Sequence, residues 1–320
     1  MKKKHRGIFL FLTAFLLCLA FSGPAPAADV GAEEATAAGA SEDTIRKTAS
    51  RKKGFQVING KTYYYKNGKK LKSTWLTIKK KKKTRTYYFN RKGIMLTGKV
   101  VTKKKVYYFH EDGVFDHAIS KRKKMVALTF DDGPSIYTPM IVRALKAAGG
   151  RATFFVVGER VSSYSKQMKA AYDIGCEIGN HSWDHSQLTS LGSYQVERQI
   201  IRTSEAIAKV TGEEPVVTRP PYGSVNARVA DVIGMPLILW NIDTEDWRTR
   251  NSYSTIQCIK DEVRDGSIIL MHDLYQASAN AAVSIIPWLK DQGYQLVTIS
   301  EMADCRGGMT SGEKYYSFKK

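Results

Sequence analysis

An α/β domain built on a parallel sheet, preceded by a small β-hairpin repeat module, is the architecture this 320-residue sequence predicts. From Met125 onward, short apolar runs alternate with longer stretches of helical period, the pattern of βα units. Before Met125, three aromatic units recur, each with a glycine turn. Charge divides at the same place. Of a net +20, residues 46–124 hold 26 Lys and Arg against three acids, while residues 125–320 hold 20 against 22.

From the N-terminus, residues 1–27 have a basic start, an apolar centre and an Ala25-Pro26-Ala27 close, which predicts a signal peptide and a secreted protein. Residues 28–50 are rich in Ala, Glu, Thr and Ser with few large apolar side chains, so burial cannot offset the entropy of ordering them. A flexible linker is expected there. No later run is long and apolar enough to span a membrane. Beyond Cys18 only Cys176, Cys258 and Cys305 remain, and so sparse and odd a set excludes a disulfide framework.

Residues 51–120 hold the repeats: "YYYKNGKKL" from Tyr63, "YYFNRKGIM" from Tyr87 and "YYFHEDGVF" from Tyr107. Each reads as an aromatic strand, a polar glycine turn and a second short strand. The units resemble the wall-binding and glucan-binding repeats of Gram-positive surface proteins, "INGKTYYYKNGK" most closely. Such repeats use tryptophans to stack on sugars or cage choline; here only Trp75 remains, and lysines fill the intervening positions. The tyrosines are open to two readings, as the small core of a hairpin stack or as ligand platforms. In a cytoplasmic chain so basic a segment would point to nucleic acid, but behind a signal peptide it points to anionic wall polymers or anionic lipid surfaces, with no nucleic-acid partner.

In residues 121–306 the strand candidates are "MVALTF", "ATFFVV", "CEI", "VVT", "PLILW", "SIILM" and "QLVTI", with helices expected at Thr138–Ala148, Gln195–Val210 and Ala279–Lys290. Nearly all-apolar strands imply a parallel sheet covered on both faces, open or closed into a barrel. Polar clusters follow the strands: Asp131 and Asp132; His181 and His185; Arg219 and Tyr222; Asp243, Asp246 and Trp247; His272 and Asp273. Loops after parallel strands share one face, where active sites are built. His181 and His185, four apart, reach one point from a helical turn or a tight loop, and two imidazoles with a carboxylate form a recurrent catalytic metal set. Residues 307–320 form a tail without an assigned role.

Together "TFDDGP", "HSWDH", "RPPYG", "DTEDW" and "LMHD" resemble the motifs of the NodB-type polysaccharide deacetylases, carbohydrate esterase family 4, across Met125 to about Arg306. The resemblance implies a distorted (β/α)7 barrel and metal-assisted removal of an N-acetyl group from a sugar. It implies Asp132, His181 and His185 as ligands of a divalent transition metal, Zn²⁺ first and Co²⁺, Mn²⁺ or Ni²⁺ as alternatives. Asp131 becomes the general base paired with Arg219, and His272 the general acid oriented by Asp246. Tyr222 lends a backbone N–H to the oxyanion, and Trp247 and Leu270 wall the slot for the acetyl methyl.

Plainer readings are kept for the remaining candidates: acids at Asp243 and Glu245 that are solvated or stand behind the site residues, an exposed Asp184, a helix N-cap at Asp273, and packing roles for Trp183 and Trp288. The expected activity is deacetylation of N-acetylated wall glycan, peptidoglycan above all, by a monomer held at the wall of a Gram-positive cell. The rival readings are an O-acetyl esterase on xylan and a non-catalytic wall-binding or adhesive protein with a vestigial barrel.

Overall fold

β9 (Met125–Asp131) is buried at all seven positions and organises the larger domain. Its side chains alternate, as strand geometry requires. Val126, Leu128 and Phe130 join an outer layer with Ile141, Leu145, Ala282 and Ile286 from the helices, whereas Met125 and Ala127 point inward with Phe155, Ile238 and Ile268. The inward row continues upward through Thr129 to Asp131.

The structure is a computed structural model describing residues 52–319 except Lys82, so the expected signal peptide and linker lie outside the described residues. The repeat region supplies β1 (Gly54–Ile58), β2 (Lys61–Lys66), β3 (Lys69–Lys70), β4 (Thr74–Lys80), β5 (Lys83–Phe89), β6 (Gly98–Val101), β7 (Lys105–Phe109) and β8 (Phe115–Ser120). They form antiparallel groups β1-β2-β3, β4-β5 and β6-β7-β8. Asn59-Gly60 and Asn67-Gly68 have positive φ at both residues, the type I′ turn that suits the twist of a two-residue hairpin. The aromatics pack mainly on one another: Trp75 stacks on Phe109 at 6.1 Å and meets Tyr88 and Phe115 edge-on.

The barrel strands are β9, β10 (Thr153–Val156), β11 (Glu177–Asn180), β12 (Leu237–Ile238), β13 (Ile242–Asp243), β14 (Ser267–His272) and β15 (Gln295–Leu296), with β16 (Lys314–Tyr315) near the C-terminus. The order is β11-β10-β9-β14-β13, parallel throughout, with β15 on the lower half of β9. The expected strand "VVT" forms only bridges, from Thr218 to Asn180 and to Leu237, which carry the barrel from β11 round to β12. The helices are α1 (Thr138–Ala148), α2 (Gly158–Val161), α3 (Ser165–Asp173), α4 (Ser193–Thr211), α5 (Ala227–Ile233), α6 (Asp246–Thr249), α7 (Ser252–Glu262), α8 (Gln276–Asp291) and α9 (Ile299–Arg306). This is a distorted (β/α)7 barrel preceded by a hairpin region.

Two features depart from the segment boundaries expected of the sequence. Val106 and Ile119, from β7 and β8, are buried in the same inner cluster as Met125, Met302 and Phe318, so the third hairpin closes the base of the barrel. Residues 307–320, set apart as a tail, supply β16 as a partner for β12 and bury Phe318 beneath β14. Gly266 has φ +88°, and a Cβ there would lie 1.9 Å from the Phe318 carbonyl oxygen, so only glycine admits the returning chain.

Candidate active site

Asp131, at the end of β9, continues the inward row and meets Arg219, whose side chain fills the barrel interior. The Arg219 Nη1 donates to Asp131 Oδ1 at 2.7 Å and to Thr129 Oγ1 at 2.7 Å; Nε donates to the Ile238 carbonyl and Nη2 to that of Leu239. Arg219 is wholly buried and also lies 4.3 Å over the Phe155 ring. A buried cation is tolerable only when its donors are used in this way.

Asp132 follows with φ +67°, and this left-handed turn aims its carboxylate away from Arg219 toward the two histidines. Asp132 Oδ1 lies 3.3 Å from His181 Nε2 and 3.2 Å from His185 Nε2, yet this buried oxygen has no hydrogen-bond partner. His181 Nδ1 donates to the Arg219 carbonyl at 2.6 Å, which fixes the ring and turns Nε2 toward Asp132. The histidines stand in a loop, with left-handed φ at Ser182 and His185, and Asn180 Oδ1 accepts from Ser182 N at 2.9 Å to shape it. Of the two geometries open to a four-residue spacing, the tight loop is the one adopted.

One carboxylate oxygen and two imidazole nitrogens all lie within 4.8 Å of one another, and this donor set fits a divalent transition cation. The unpartnered Asp132 oxygen is what a missing positive charge would satisfy. Burial opposes ionisation of Asp132, but His181, His185 and His272 outweigh it and hold its pKa at about 2. Burial and the charge of His181 push His185 below the usual imidazole range, which keeps its nitrogen lone pair free.

Across the site, His272 Nδ1 donates to Asp246 Oδ1 at 2.8 Å, and the His272 backbone N–H donates to Asp246 Oδ2 at 2.8 Å. Burial disfavours the imidazolium, yet the Asp246 hydrogen bond and charge, aided by Asp131 and Asp132, raise the His272 pKa to about 9. A cavity of about 390 Å³ joins the two halves; it is lined by both aspartates, His181, His185, His272, Tyr222, Trp247 and Leu270. Tyr222 has φ +60° and packs its ring 4.6 Å from that of His185.

All ten residues singled out from the sequence thus stand at one end of the barrel. The cavity also takes Trp240, Asp243 and Tyr275, of which the sequence marks only Asp243, as an acid that is solvated or stands behind the site residues. Thr129, which holds Arg219, belongs to none of the polar clusters, and its strand parity with Asp131 is the sequence signal that marks it. Asp184 stays off the trio, bonded instead to Ser186 and Gln199. Asp273 does not cap α8, whose N-cap is Tyr275; its carboxyl instead accepts from the Thr138 hydroxyl.

Comparisons with known proteins cover both parts of the chain. Residues 118–235 match the polysaccharide deacetylase family, and residues 75–114 match the choline-binding repeat. The chain is 41% identical to the peptidoglycan-N-acetylmuramic acid deacetylase PdaC of Bacillus subtilis, over 60% of this chain and 41% of that protein. It is 43% identical to the peptidoglycan-N-acetylglucosamine deacetylase PgdA of Listeria monocytogenes, over 57% and 40%. The chain therefore spans about two fifths of the length of these curated relatives. A family 4 acetyl xylan esterase from Clostridium thermocellum, solved in complex with a cobalt ion, is 32% identical with a TM-score of 0.59, over 62% of this chain and all of that one.

Proposed function

The chain belongs to the polysaccharide deacetylase family, and on that premise we propose that it is a secreted, metal-dependent hydrolase that removes acetyl groups from N-acetylated wall glycan, with peptidoglycan as substrate. The observation that carries this reading is the cavity that sets the Asp131–Arg219 pair and the His272–Asp246 pair on either side of the Asp132, His181 and His185 trio. In this reading those three residues hold a divalent ion, Zn²⁺ by preference, which when bound polarises the acetyl carbonyl and lowers the pKa of a water.

The remaining work falls to the chain's own groups. Asp131 takes the proton of the attacking water through Oδ2, because Oδ1 is engaged by Arg219. Tyr222 presents its backbone N–H to the developing oxyanion. Leu270 and Trp247 exclude water around the acetyl methyl. His272, charged by Asp246, donates its Nε2 proton to the departing sugar nitrogen, which cannot leave as an amide anion.

The likeness to an acetyl xylan esterase supports one second reading, ester hydrolysis on xylan. An alkoxide is the better leaving group, so the strongly charged His272 favours the amide. Acetate release measured on peptidoglycan, chitin oligomers, poly-N-acetylglucosamine and acetylxylan separates the two: release from peptidoglycan is expected, and release from acetylxylan alone overturns the proposal.

The repeats hold the enzyme on anionic wall polymer. Lys70 Nζ lies 4.5 Å over the Tyr63 ring and Lys52 Nζ 5.6 Å over that of Tyr65, so the chain's own ammonium groups cover these two rings of the first unit.

A further inference from the structure

Asp273 is a fully buried acid that the proposed chemistry leaves without a part. It follows His272 at the end of β14, and every polar atom it pairs faces the turn after β9. Its Oδ2 accepts from the Thr138 hydroxyl, its carbonyl accepts from the Ser135 hydroxyl, and its N–H donates to the Asp131 carbonyl at 3.3 Å. The Thr138 hydroxyl in turn accepts from Ser135 N at 2.8 Å, and Ser135 Oγ accepts from Tyr137 N at 2.9 Å.

The opposite side of this contact is Gly133, directly after Asp132. A Cβ at position 133 would lie 2.2 Å from Asp273 Oδ1 and 2.6 Å from its Cγ. The φ of Gly133 is not left-handed, so it is the lack of space beside Asp273, and not a left-handed φ, that marks the position for glycine. Asp273 Oδ1 itself is buried and has no hydrogen-bond partner, so this oxygen is held there by fit. Leaving it so is costly unless the contact serves something else.

We infer that Asp273 is a positioning residue: its carboxyl fills the space left by Gly133 and fixes the turn, so that Asp132 faces the histidines while Asp131 faces Arg219. The same residue ties the strand end bearing His272 to the turn that carries the aspartates, in addition to the β14–β9 register that pairs His272 with Asp131. The inference rests on the reading of Asp132, His181 and His185 as ion ligands.

The test uses the full chain and measures Zn²⁺ affinity by competition with a chromophoric chelator, alongside the thermal midpoint of the metal-free protein. The unmodified protein must first bind one ion tightly; if it does not, the ligand reading fails and not this inference. Gly133→Ala is expected to weaken Zn²⁺ binding about 10-fold or more, as loss of support behind a ligand does, and to lower the metal-free midpoint because the methyl overpacks a buried site, with affinity measured well below that midpoint. Asp273→Ala should also weaken it, and combining the two should recover affinity relative to Gly133→Ala alone, because the added methyl then has room. Asp273→Asn, which keeps volume and an acceptor for Thr138, should bind as the unmodified protein does. Unchanged affinity in Gly133→Ala, losses that multiply in the double variant, or Asp273→Asn failing as badly as Asp273→Ala would each overturn the inference. Should Asp273→Ala not fold, Gly133→Ala and Asp273→Asn decide it between them.

Discussion

In the proposed mechanism His272 and Asp131 divide the proton transfers, and the surroundings of His272 set the pH range in which it can serve. His272 acts as an acid, so it is competent below its pKa and idle above it. Asp246 is what lifts that pKa toward about 9, and a divalent ion on the nearby trio lowers it from there. Asp246→Asn should therefore move the alkaline limb of the kcat profile to lower pH, and a limb that stays in place would detach it from His272. Asp131 and Asp132 separate by partner rather than by residue type. Asp131→Asn should keep the ion and lose roughly 10²-fold in kcat, because only the base is removed. Asp132→Asn should lose the ion, because it takes a charged ligand from the trio. Metal analysis of both variants checks this, and equal ion loss in the two would reverse their roles.

At the scale of single elements, the site depends on strand parity and on how helices begin. β9 presents Met125, Ala127, Thr129 and Asp131 to one face, so a slip of one residue would send the base into the outer apolar layer. α9 opens with a capping box: Thr298 Oγ1 accepts from Glu301 N at 3.1 Å, and Glu301 Oε2 accepts from Thr298 N at 2.9 Å. The other oxygen of Glu301 takes Arg151 at 2.8 Å and His117 of β8 at 2.7 Å, so the cap also anchors the third hairpin. Thr298→Ala should lower stability by about 1 kcal/mol, measured by denaturant unfolding, with Zn²⁺ affinity unchanged because the cap is at the other end of the barrel. A stability within error of the unmodified protein would show the cap to be idle.

For the molecule as a whole, the junction between repeats and barrel decides which truncations survive. Removing the chain through Thr97 leaves β6–β8 in place and should preserve turnover on short soluble oligomers. Removing it through Lys123 strips Val106 and Ile119 from the inner cluster and should lower the thermal midpoint sharply, since each is a fully lost core side chain. Equal midpoints for the two truncations would show that the third hairpin is dispensable. The repeats carry most of the positive charge, and exposed contacts are screened over about 8–10 Å at physiological salt. Co-sedimentation of the full chain with purified walls should therefore fall steeply with added salt and fall on walls stripped of anionic polymer. Binding that persists in salt but yields to free sugar or choline would assign the attachment to aromatic stacking instead.

What the sequence determined by itself is the chemistry and its order: apolar runs of strand length, each followed by a polar cluster. Loops after parallel strands must share a face, so the clusters could be assembled before any contact was known. The Asn-Gly turns of the repeats were legible for the same reason, since a local conformation selects its own residues. Only the tertiary structure decided the left-handed backbone at Asp132, Ser182, His185 and Tyr222, the return of β16 to β12, and the merging of the third hairpin into the base of the barrel. It also decided the meeting of Asp273 with Gly133. Periodicity and turn chemistry report on neighbours along the chain, whereas these features depend on which distant side chain fills a given space, and close packing settles that only when the whole barrel is formed.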